Sequence, residues 1–324
     1  MNYSVHSFEL SRVLEKKEFK EQLKYVKKYK HKLYETNFGY VDESRMSDGV
    51  GIEYHDKRKK KIKFIVNPSI LMDTSKLWKP KYDVSKLNEE LYILINGYFN
   101  SDCELNDMKL TRMDFTVDID VGKASDYIKI LHNIGRVKGF SQIKHGRECK
   151  EYVFNLVGAD DVEFIAYCRE AIPEGSKPES IGDKLLLKPR TGILRLEVRL
   201  SNRVIREYTD ETDTSRQIRD LSVDSKEVFM DTFQRIVPRG DHYKKKVAEG
   251  IVTDGVSDKI MRKKMIKLLE LIPEKKSLLL AQKILNIRNT KSVMKEFENI
   301  DLSPVTLSKR HNGKKLDSLY SFLD

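Results

Sequence analysis

In the stretch LTRMDFTVDID, from Leu110 to Asp120, polar and apolar side chains alternate without a break from Arg112 onward. The apolar parity holds Met113, Phe115, Val117 and Ile119. The polar parity holds Arg112, Asp114, Thr116, Asp118 and Asp120. A period of two is typical of a β-strand that packs one face against a core. The stretch therefore predicts a strand that gathers carboxylates on one sheet face, with Asp120 at the strand end.

The composition favours a polyanionic partner. The 324 residues include 61 Lys or Arg and 50 Asp or Glu, which gives a net charge of +11 and suits nucleic-acid binding. No stretch approaches the roughly 18 consecutive apolar residues of a membrane span, and the N-terminus lacks the features of a signal peptide. Cys103, Cys149 and Cys168 show no CxxC spacing and predict reduced thiols. We therefore expect a cytoplasmic protein with no membrane partner.

Two segments of the chain share one order of elements. The strand-like runs SVHSFELSRV and LTRMDFTVDID are each followed by a helical pattern and then by three strand-like runs. In this interpretation KIKFIVNPSIL stands in the first segment where VEFIAYCREA stands in the second, and ILRLEVRL is a further strand. Two βαβββ-like units predict an α+β fold with largely antiparallel sheets and an open polar face.

A change of period divides the chain. From about Arg206 the spacing of apolar residues becomes helical. We expect an α+β domain over 1–205, duplicated as 1–80 and 81–205, and a helical region over 206–324. The helical region is a candidate for DNA binding or dimerisation. Its lysine-rich helix pair around Pro273 suits either a helix-turn-helix reader or a plain packing unit.

Several standard catalytic sites are absent from the sequence. There is no GxxxxGK[ST] loop, no GxGxxG after a strand, no HExxH, no GxSxG and no HxH pair. A bound metal would therefore need oxygen ligands, which suit Mg²⁺ or Mn²⁺. Asp114, Asp118 and Glu197 are the candidate metal ligands, because each lies on the polar parity of its strand. The alternative is a solvent-exposed sheet face whose acidic side chains form ion pairs with lysines.

Arginines accompany these acids. The strand ILRLEVRL places Arg195 and Arg199 on either side of Glu197, and Arg112 lies two residues before Asp114. Guanidinium groups bind phosphate oxygens in a bidentate manner. Arg112, Arg195 and Arg199 are therefore the candidate DNA-binding residues.

Four runs of this chain resemble a known family in their order and separations. KIKFIVNPSIL, LTRMDFTVDID, VEFIAYCRE and ILRLEVRL resemble the rolling-circle plasmid replication initiators of the replication initiation factor (Rep_trans) family, which includes relaxases of integrative conjugative elements. The resemblance extends from about Gly51 to Tyr208, and TRMDFTVD and LRLEVRL are its most specific parts. It implies an endonuclease that nicks one DNA strand at a replication or transfer origin, with the α+β domain over 1–205 as the DNA-nicking domain.

The resemblance also implies a tyrosine nucleophile. In the family, a tyrosine followed two places later by Lys or Arg forms a 5′-phosphotyrosine link and leaves a free 3′-OH. The matching residues are Tyr167 as nucleophile and Arg169 as its catalytic partner. This chain has Ile165 where family members carry an arginine, and Cys168 where they carry Asn or Asp.

The same resemblance implies cofactors and partners. Mg²⁺ or Mn²⁺ would assist the reaction, and origin DNA in single-stranded or cruciform form, a helicase, a replication polymerase and a second copy of the chain would be partners. The alternatives are a conjugative-element relaxase with the same chemistry, or a non-catalytic relative that binds an origin or operator. Tyr152 or Tyr208 is the alternative nucleophile.

Overall fold

The computed structural model describes residues 3–29, 32–72, 84–99, 103–145, 152–169, 192–286 and 290–323. Within these ranges the protein combines many helices with a large antiparallel sheet. The predicted α+β class is therefore confirmed. Cys149 lies outside the described residues.

Most described strands belong to one sheet. They are β1 (Ser4–Val13), β2 (Leu33–Glu35), β3 (Gly39–Asp42), β4 (Val50–His55), β5 (Lys61–Val66), β6 (Lys109–Asp120), β7 (Phe140–Gln142), β8 (Val153–Gly158), β9 (Val162–Cys168) and β10 (Ile193–Ser201). Their order in the sheet is β2-β3-β4-β5-β1-β6-β10-β9-β8-β7. A separate small sheet pairs β11 (His242–Tyr243) with β12 (Lys315–Leu316).

The described helices alternate with the strands in the first two thirds of the chain and follow them afterwards. They are α1 (Lys16–Tyr29), α2 (Pro68–Leu71), α3 (Val84–Phe99), α4 (Ala124–Ile134), α5 (Asn202–Tyr208), α6 (Thr214–Val223), α7 (Ser225–Ile236), α8 (Lys245–Gly255), α9 (Lys259–Lys275), α10 (Leu278–Ile284) and α11 (Thr290–Asn299). Pro273 lies inside the last turn of α9, and Ser277 caps α10. In the parts of the chain that the structure covers, no helix combines the length and apolar character needed to cross a bilayer.

The two units occupy the two halves of one sheet. β1 and β6 pair antiparallel at its centre, and outward from this pair the second half repeats the strand order of the first. Each unit has one strand more than the βαβββ pattern. In the first unit this strand is the short β2, which carries no clear alternation, and in the second it is β10, the further strand predicted from ILRLEVRL. The expected match of KIKFIVNPSIL with VEFIAYCREA is corrected: β5 corresponds to β10, since both flank the central pair, and β9 corresponds to β4.

Helices cover the apolar face of this sheet. The ring of Phe19 in α1 lies 6.4 Å from that of Tyr54 in β4, and the ring of Phe233 in α7 lies 6.0 Å from that of Phe164 in β9. Helix α4 contacts β8 and β9. Because successive side chains of a strand point to opposite faces, the polar parities of β6, β9 and β10 lie on the other face.

The C-terminal helical region shares the core of the sheet. Phe233 contacts Tyr320 with ring centroids 5.0 Å apart, and the Tyr3 hydroxyl donates a hydrogen bond of 2.9 Å to the Leu323 carbonyl. Buried residues from both regions form one continuous hydrophobic cluster. The boundary near residue 205 stays a prediction, and in the described residues it does not separate two cores.

Phe233→Ala should destabilise the sheet and the helical region together. The substitution removes a fully buried ring between the two regions, and we expect a loss of about 3–5 kcal/mol in the free energy of unfolding. Urea unfolding followed by far-UV and near-UV circular dichroism measures this loss. Val223→Ala is the control, because Val223 is exposed and should change stability by less than about 0.5 kcal/mol. Two separate unfolding transitions in the wild type would contradict a shared core.

Candidate active site

Tyr167, Arg195 and Asp118 lie side by side on three neighbouring strands. Arg195 of β10 pairs directly with Tyr167 of β9 on one side and with Asp118 of β6 on the other. Directly opposed residues of an antiparallel sheet point to the same face. We call these three residues the tyrosine row, and it lies on the face opposite the helices.

Asp118 is held by two arginines. Arg195 donates Nε–H to Asp118 Oδ1 at 2.6 Å and Nη2–H to Oδ2 at 2.8 Å, and Arg169 donates to Oδ2. Burial alone raises the pKa of Asp118, but the hydrogen bonds and positive charge of Arg195, together with Arg169, outweigh it and hold the pKa below its ordinary value. Asp118 is therefore ionised at neutral pH, and its charge orients Arg195 beside Tyr167.

Glu197 lies in the next row along the strands, between Thr116 of β6 and Ile165 of β9. Its side chain is 1% exposed. The Tyr167 hydroxyl donates to Glu197 Oε2 at 3.5 Å, and Arg199 donates Nε–H to Oε1 at 2.7 Å. One buried carboxylate thus contacts both the candidate nucleophile and an arginine.

The environment of Tyr167 keeps its hydroxyl protonated at neutral pH. Burial, followed by the negative charge of Glu197, raises the pKa of Tyr167 to about 12, and Arg195 offsets this only in part. A phenol of such high pKa becomes a good nucleophile only by giving its proton to a base. Glu197 is the carboxylate placed to accept that proton.

Asp114 is the central acid of β6 and is buried. Ser7 donates its hydroxyl to Asp114 Oδ2 at 2.6 Å, and Arg112 donates Nε–H to Oδ1 at 2.9 Å and Nη2–H to Oδ2 at 3.0 Å. Arg199 Nε lies 3.7 Å from Oδ2. Burial raises the pKa of Asp114, and Arg112 and Arg199 act against this rise. Both oxygens of Asp114 are therefore engaged by protein donors.

Further ion pairs carry this network across the centre of the sheet. Arg112 also bonds to Glu9 of β1, and Lys63 of β5 donates to Glu9 at 3.1 Å. Lys63 lies 3.7 Å from a carboxylate oxygen of Glu53 in β4. The result is a chain of ion pairs, to which Tyr167 is joined by a hydrogen bond: Glu197, Arg199, Asp114, Arg112, Glu9, Lys63 and Glu53. It joins the two units on their polar face, which is therefore less open at its centre than expected.

The three candidate metal ligands share one face, but as placed they do not fit a Mg²⁺ or Mn²⁺ site. Asp114, Asp118 and Glu197 each accept hydrogen bonds from arginine, and no three potential ligands converge within the described ranges. Among the described residues of this face, the buried oxygens without a hydrogen-bond partner are Ser4 Oγ of β1 and Asn155 Oδ1 of β8. These strands are four positions apart, or roughly 19 Å, so the two oxygens cannot share an ion.

The four arginines differ in their exposure. Arg195 is buried, Arg112 and Arg199 are half-buried, and Arg169 is exposed. A cavity of about 290 Å³ lies beside Arg112, Arg199 and Glu163 on the polar face. A phosphate can therefore reach Arg112, Arg199 and Arg169 from solvent. Arg195 is shielded from solvent and lies between Tyr167 and Asp118.

The alternative tyrosines lie elsewhere. The Tyr208 hydroxyl donates to Asp231 of α7 at 3.2 Å, and α7 packs on the apolar face of the sheet. Tyr152 precedes β8 and packs against the hydrophobic core. Of these three tyrosines, Tyr167 is the one that contacts Glu197.

The two departures from the resembled family fall on opposite faces. Ile165 lies directly beside Glu197, so an arginine is replaced by an aliphatic side chain inside the site. Cys168 pairs with Leu194 on the apolar face, and burial raises the pKa of its thiol to about 11. The change at Ile165 therefore alters the site, whereas the change at Cys168 does not face it.

His6 belongs to the same surroundings but carries no sequence signal, because a lone histidine matches no motif. It lies where the register of β1 on β6 shifts between Val5 and Ser7. Burial, followed by the positive charge of Arg195, lowers the pKa of His6 to about 4. A neutral imidazole thus lies near the acids and arginines of this face at neutral pH.

Comparison with known proteins adds little to this geometry. No family model matches the chain, and no curated protein matches it. Among solved structures, the rolling circle replication initiator protein from Geobacillus stearothermophilus is 13% identical with a TM-score of 0.36, and the match covers 72% of this chain and 85% of that chain. At this TM-score the function has to be argued from the chain's own residues.

Asp118→Asn tests the ion pair between Asp118 and Arg195 in the tyrosine row. The variant leaves Arg195 buried without its anion, and we expect a loss of about 3–5 kcal/mol in the free energy of unfolding at pH 7. Because the folded-state pKa of Asp118 is lowered, its stabilisation is present above about pH 4 and is lost as the pH falls through the folded-state pKa. The difference between wild type and variant should therefore shrink in acid, as measured by urea unfolding at several pH values.

Asp120→Asn is the matched control. Asp120 is exposed, and an asparagine keeps the side-chain oxygen that accepts the Gly122 N–H. We expect its stability to stay within about 0.5 kcal/mol of wild type. Equal effects of the two substitutions would show that the Asp118–Arg195 pair does not stabilise the fold.

Proposed function

We propose that this chain is a DNA strand transferase that initiates rolling-circle replication by nicking one strand at an origin through Tyr167. The observation that carries the proposal is the contact of the Tyr167 hydroxyl with the buried carboxylate of Glu197, directly beside Arg195. The motif resemblance of TRMDFTVD and LRLEVRL agrees with it. In this proposal the protein acts on DNA in the cytoplasm, with a helicase, a replication polymerase and a second copy of the chain as implied partners.

The proposed reaction is a transesterification. The Tyr167 oxygen attacks the scissile phosphorus, the bond from phosphorus to the 3′ oxygen breaks, and the phenolic proton passes to Glu197. The departing 3′ oxygen takes up a proton from solvent. The products are a 5′-phosphotyrosine link and a free 3′-OH, and the reverse reaction rejoins the strand. One phosphoester bond forms as another breaks, so the energy to rejoin is conserved.

The arginines supply the positive charge that this reaction needs. Charge accumulates on the non-bridging phosphate oxygens as the tyrosine attacks, and fixed guanidinium groups stabilise it. Arg169 is exposed and next to the tyrosine row, while Arg195 is fixed beside Tyr167 by Asp118. In this proposal Arg169 and Arg199 contact the phosphate and Arg195 favours the phenolate.

A conjugative-element relaxase would use the same residues, and the site does not separate it from a replication initiator. A non-catalytic origin- or operator-binding protein is the second candidate. It is favoured by Ile165 beside Glu197 and by the raised pKa of Tyr167, which both weaken a nucleophile. Phosphate contact by the arginines serves this function as well.

Tyr167→Phe should abolish nicking of supercoiled DNA that carries the inverted repeat nearest the gene. The substitution removes only the attacking oxygen, so we expect at least a 10³-fold loss and no protein attached to the 5′ end. Agarose gels measure the nick, and a labelled strand on a denaturing protein gel measures the link. Tyr152→Phe and Tyr208→Phe are the controls and should keep wild-type activity. Equal nicking by wild type and Tyr167→Phe would refute this mechanism.

Metal dependence is a separate prediction. The family resemblance predicts that nicking requires Mg²⁺ or Mn²⁺. The candidate acids are bound by arginines, however, and this favours nicking without a divalent metal ion. Calorimetric titration of the protein with each metal and nicking in excess chelator distinguish the two. Tight binding that Asp118→Asn removes would show that the ion pairs reopen around a metal, whereas full activity in chelator would show that the arginines suffice.

A further inference from the structure

The basic charge of the chain is concentrated in the unit that lacks the tyrosine. Residues 1–72 contain sixteen Lys or Arg and ten Asp or Glu. Their excess of six positive charges is more than half of the net charge of +11. The strands of this unit that correspond to the tyrosine row carry Glu53, Lys63 and Ser11 in direct register. The first unit therefore repeats the architecture of the second without its nucleophile.

A basic hairpin tip distinguishes the first unit. Residues 56–60 join β4 to β5 by a tight turn, at the place where the second unit joins β9 to β10. Lys57, Arg58 and Lys59 follow one another in this turn, all are exposed, and none forms an ion pair with a described residue. Three neighbouring cations that form no ion pair outweigh the single carboxylate of Asp56 and make a positive local potential.

The base of this hairpin is ordered and also positive. Lys60 folds back so that its Nζ donates to the Asp56 carbonyl and lies 5.7 Å from the ring centre of Phe19. Lys61 begins β5 on the polar face, and burial, followed by the charge of Lys63, lowers its pKa. An anion at the tip would relieve this repulsion between cations.

We propose that the hairpin of residues 56–61 binds the phosphates of a DNA duplex that flanks the nicked strand. This inference rests on the proposed function and adds a second contact region to it. The hairpin and Tyr167 lie at opposite ends of the sheet, about eleven residues apart along the strands and about five strands apart across them. At roughly 3.4 Å per residue and 4.8 Å per strand the separation is roughly 40 Å. A duplex spans this distance with about 12 base pairs.

The path between the two ends is lined on the same face by charged groups of both signs, with Glu9, Asp161 and Glu163 beside the basic residues. The cavity beside Arg112 and Arg199 also has Lys63 in its wall. Lys63 in turn lies on the strand that leads to the hairpin tip. A nucleic acid that leaves the tyrosine row along this face would therefore meet the hairpin next.

The test uses stem-loop DNA of arbitrary sequence, with a seven-nucleotide loop and a stem of either 6 or 20 base pairs. A stem of 6 base pairs is too short to reach from the tyrosine row to the hairpin, whereas one of 20 is long enough. Wild-type protein should bind the long stem about tenfold or more tightly than the short one at 0.1 M salt. Replacing Lys57, Arg58 and Lys59 with Gln should remove this preference and lower the salt slope by about two to three. Fluorescence anisotropy over a salt series measures both.

Lys17, Lys20 and Lys24 of α1 provide the matched control, because they are also three exposed cations but belong to a helix that packs on the opposite face of the sheet. Replacing them with Gln removes the same charge and should leave the preference for the long stem intact. The inference is overturned if wild type shows no such preference, if the hairpin variant keeps it, or if the control variant loses it equally. Urea unfolding confirms that both variants remain folded.

Nicking separates this inference from the proposed function. The hairpin variant should still nick a short single-stranded oligonucleotide carrying the origin sequence, since its tyrosine row is unchanged. If wild type nicks DNA but stem length has no effect, the hairpin inference alone fails. If wild type forms no 5′ link with any origin DNA, the proposed function fails whatever the hairpin binds.

Discussion

Strand β1 pairs antiparallel with β6 along most of its length, and this central contact brings two similar units into one sheet. The pairing places the apolar parities of both units under the helices. It also places Glu9 of the first unit beside Arg112 of the second, so that charged side chains from both units meet on the other face. The residues in contact with Tyr167 belong to the second unit, and the first unit extends their network across this contact through Ser7 and Glu9.

Buried charge on this face is tolerated because it is paired. An isolated carboxylate in a protein interior costs several kcal/mol, whereas a bidentate arginine satisfies both its charge and its oxygens. Asp114 and Asp118 each have such a partner, and Glu197 is held by Arg199. The free oxygen of Glu197 is then left for the Tyr167 hydroxyl. The arrangement explains how one tyrosine of fifteen obtains a base and positive charge together.

The sequence predicted those parts of the molecule that depend on local pattern. Alternation in LTRMDFTVDID identified β6 and its polar face, and helical spacing identified the C-terminal region. Strand order was not predictable, because it depends on pairing between distant segments, and the match of β5 with β9 failed for this reason. The short β2 and the lone His6 carry no periodicity or motif. The partners of the acids were missed in the same way: their arginines were identified, but the register that joins them was not.

The most direct test of the account is the identity of the tyrosine that becomes linked to DNA. Wild-type protein would be incubated with a 5′-extended origin oligonucleotide, the covalent adduct digested with trypsin and nuclease, and the modified peptide sequenced by mass spectrometry. The account predicts a single modified peptide with the nucleotide remnant on Tyr167. A remnant on Tyr152, Tyr208 or another residue would contradict it, as would the absence of any adduct while the DNA is nicked.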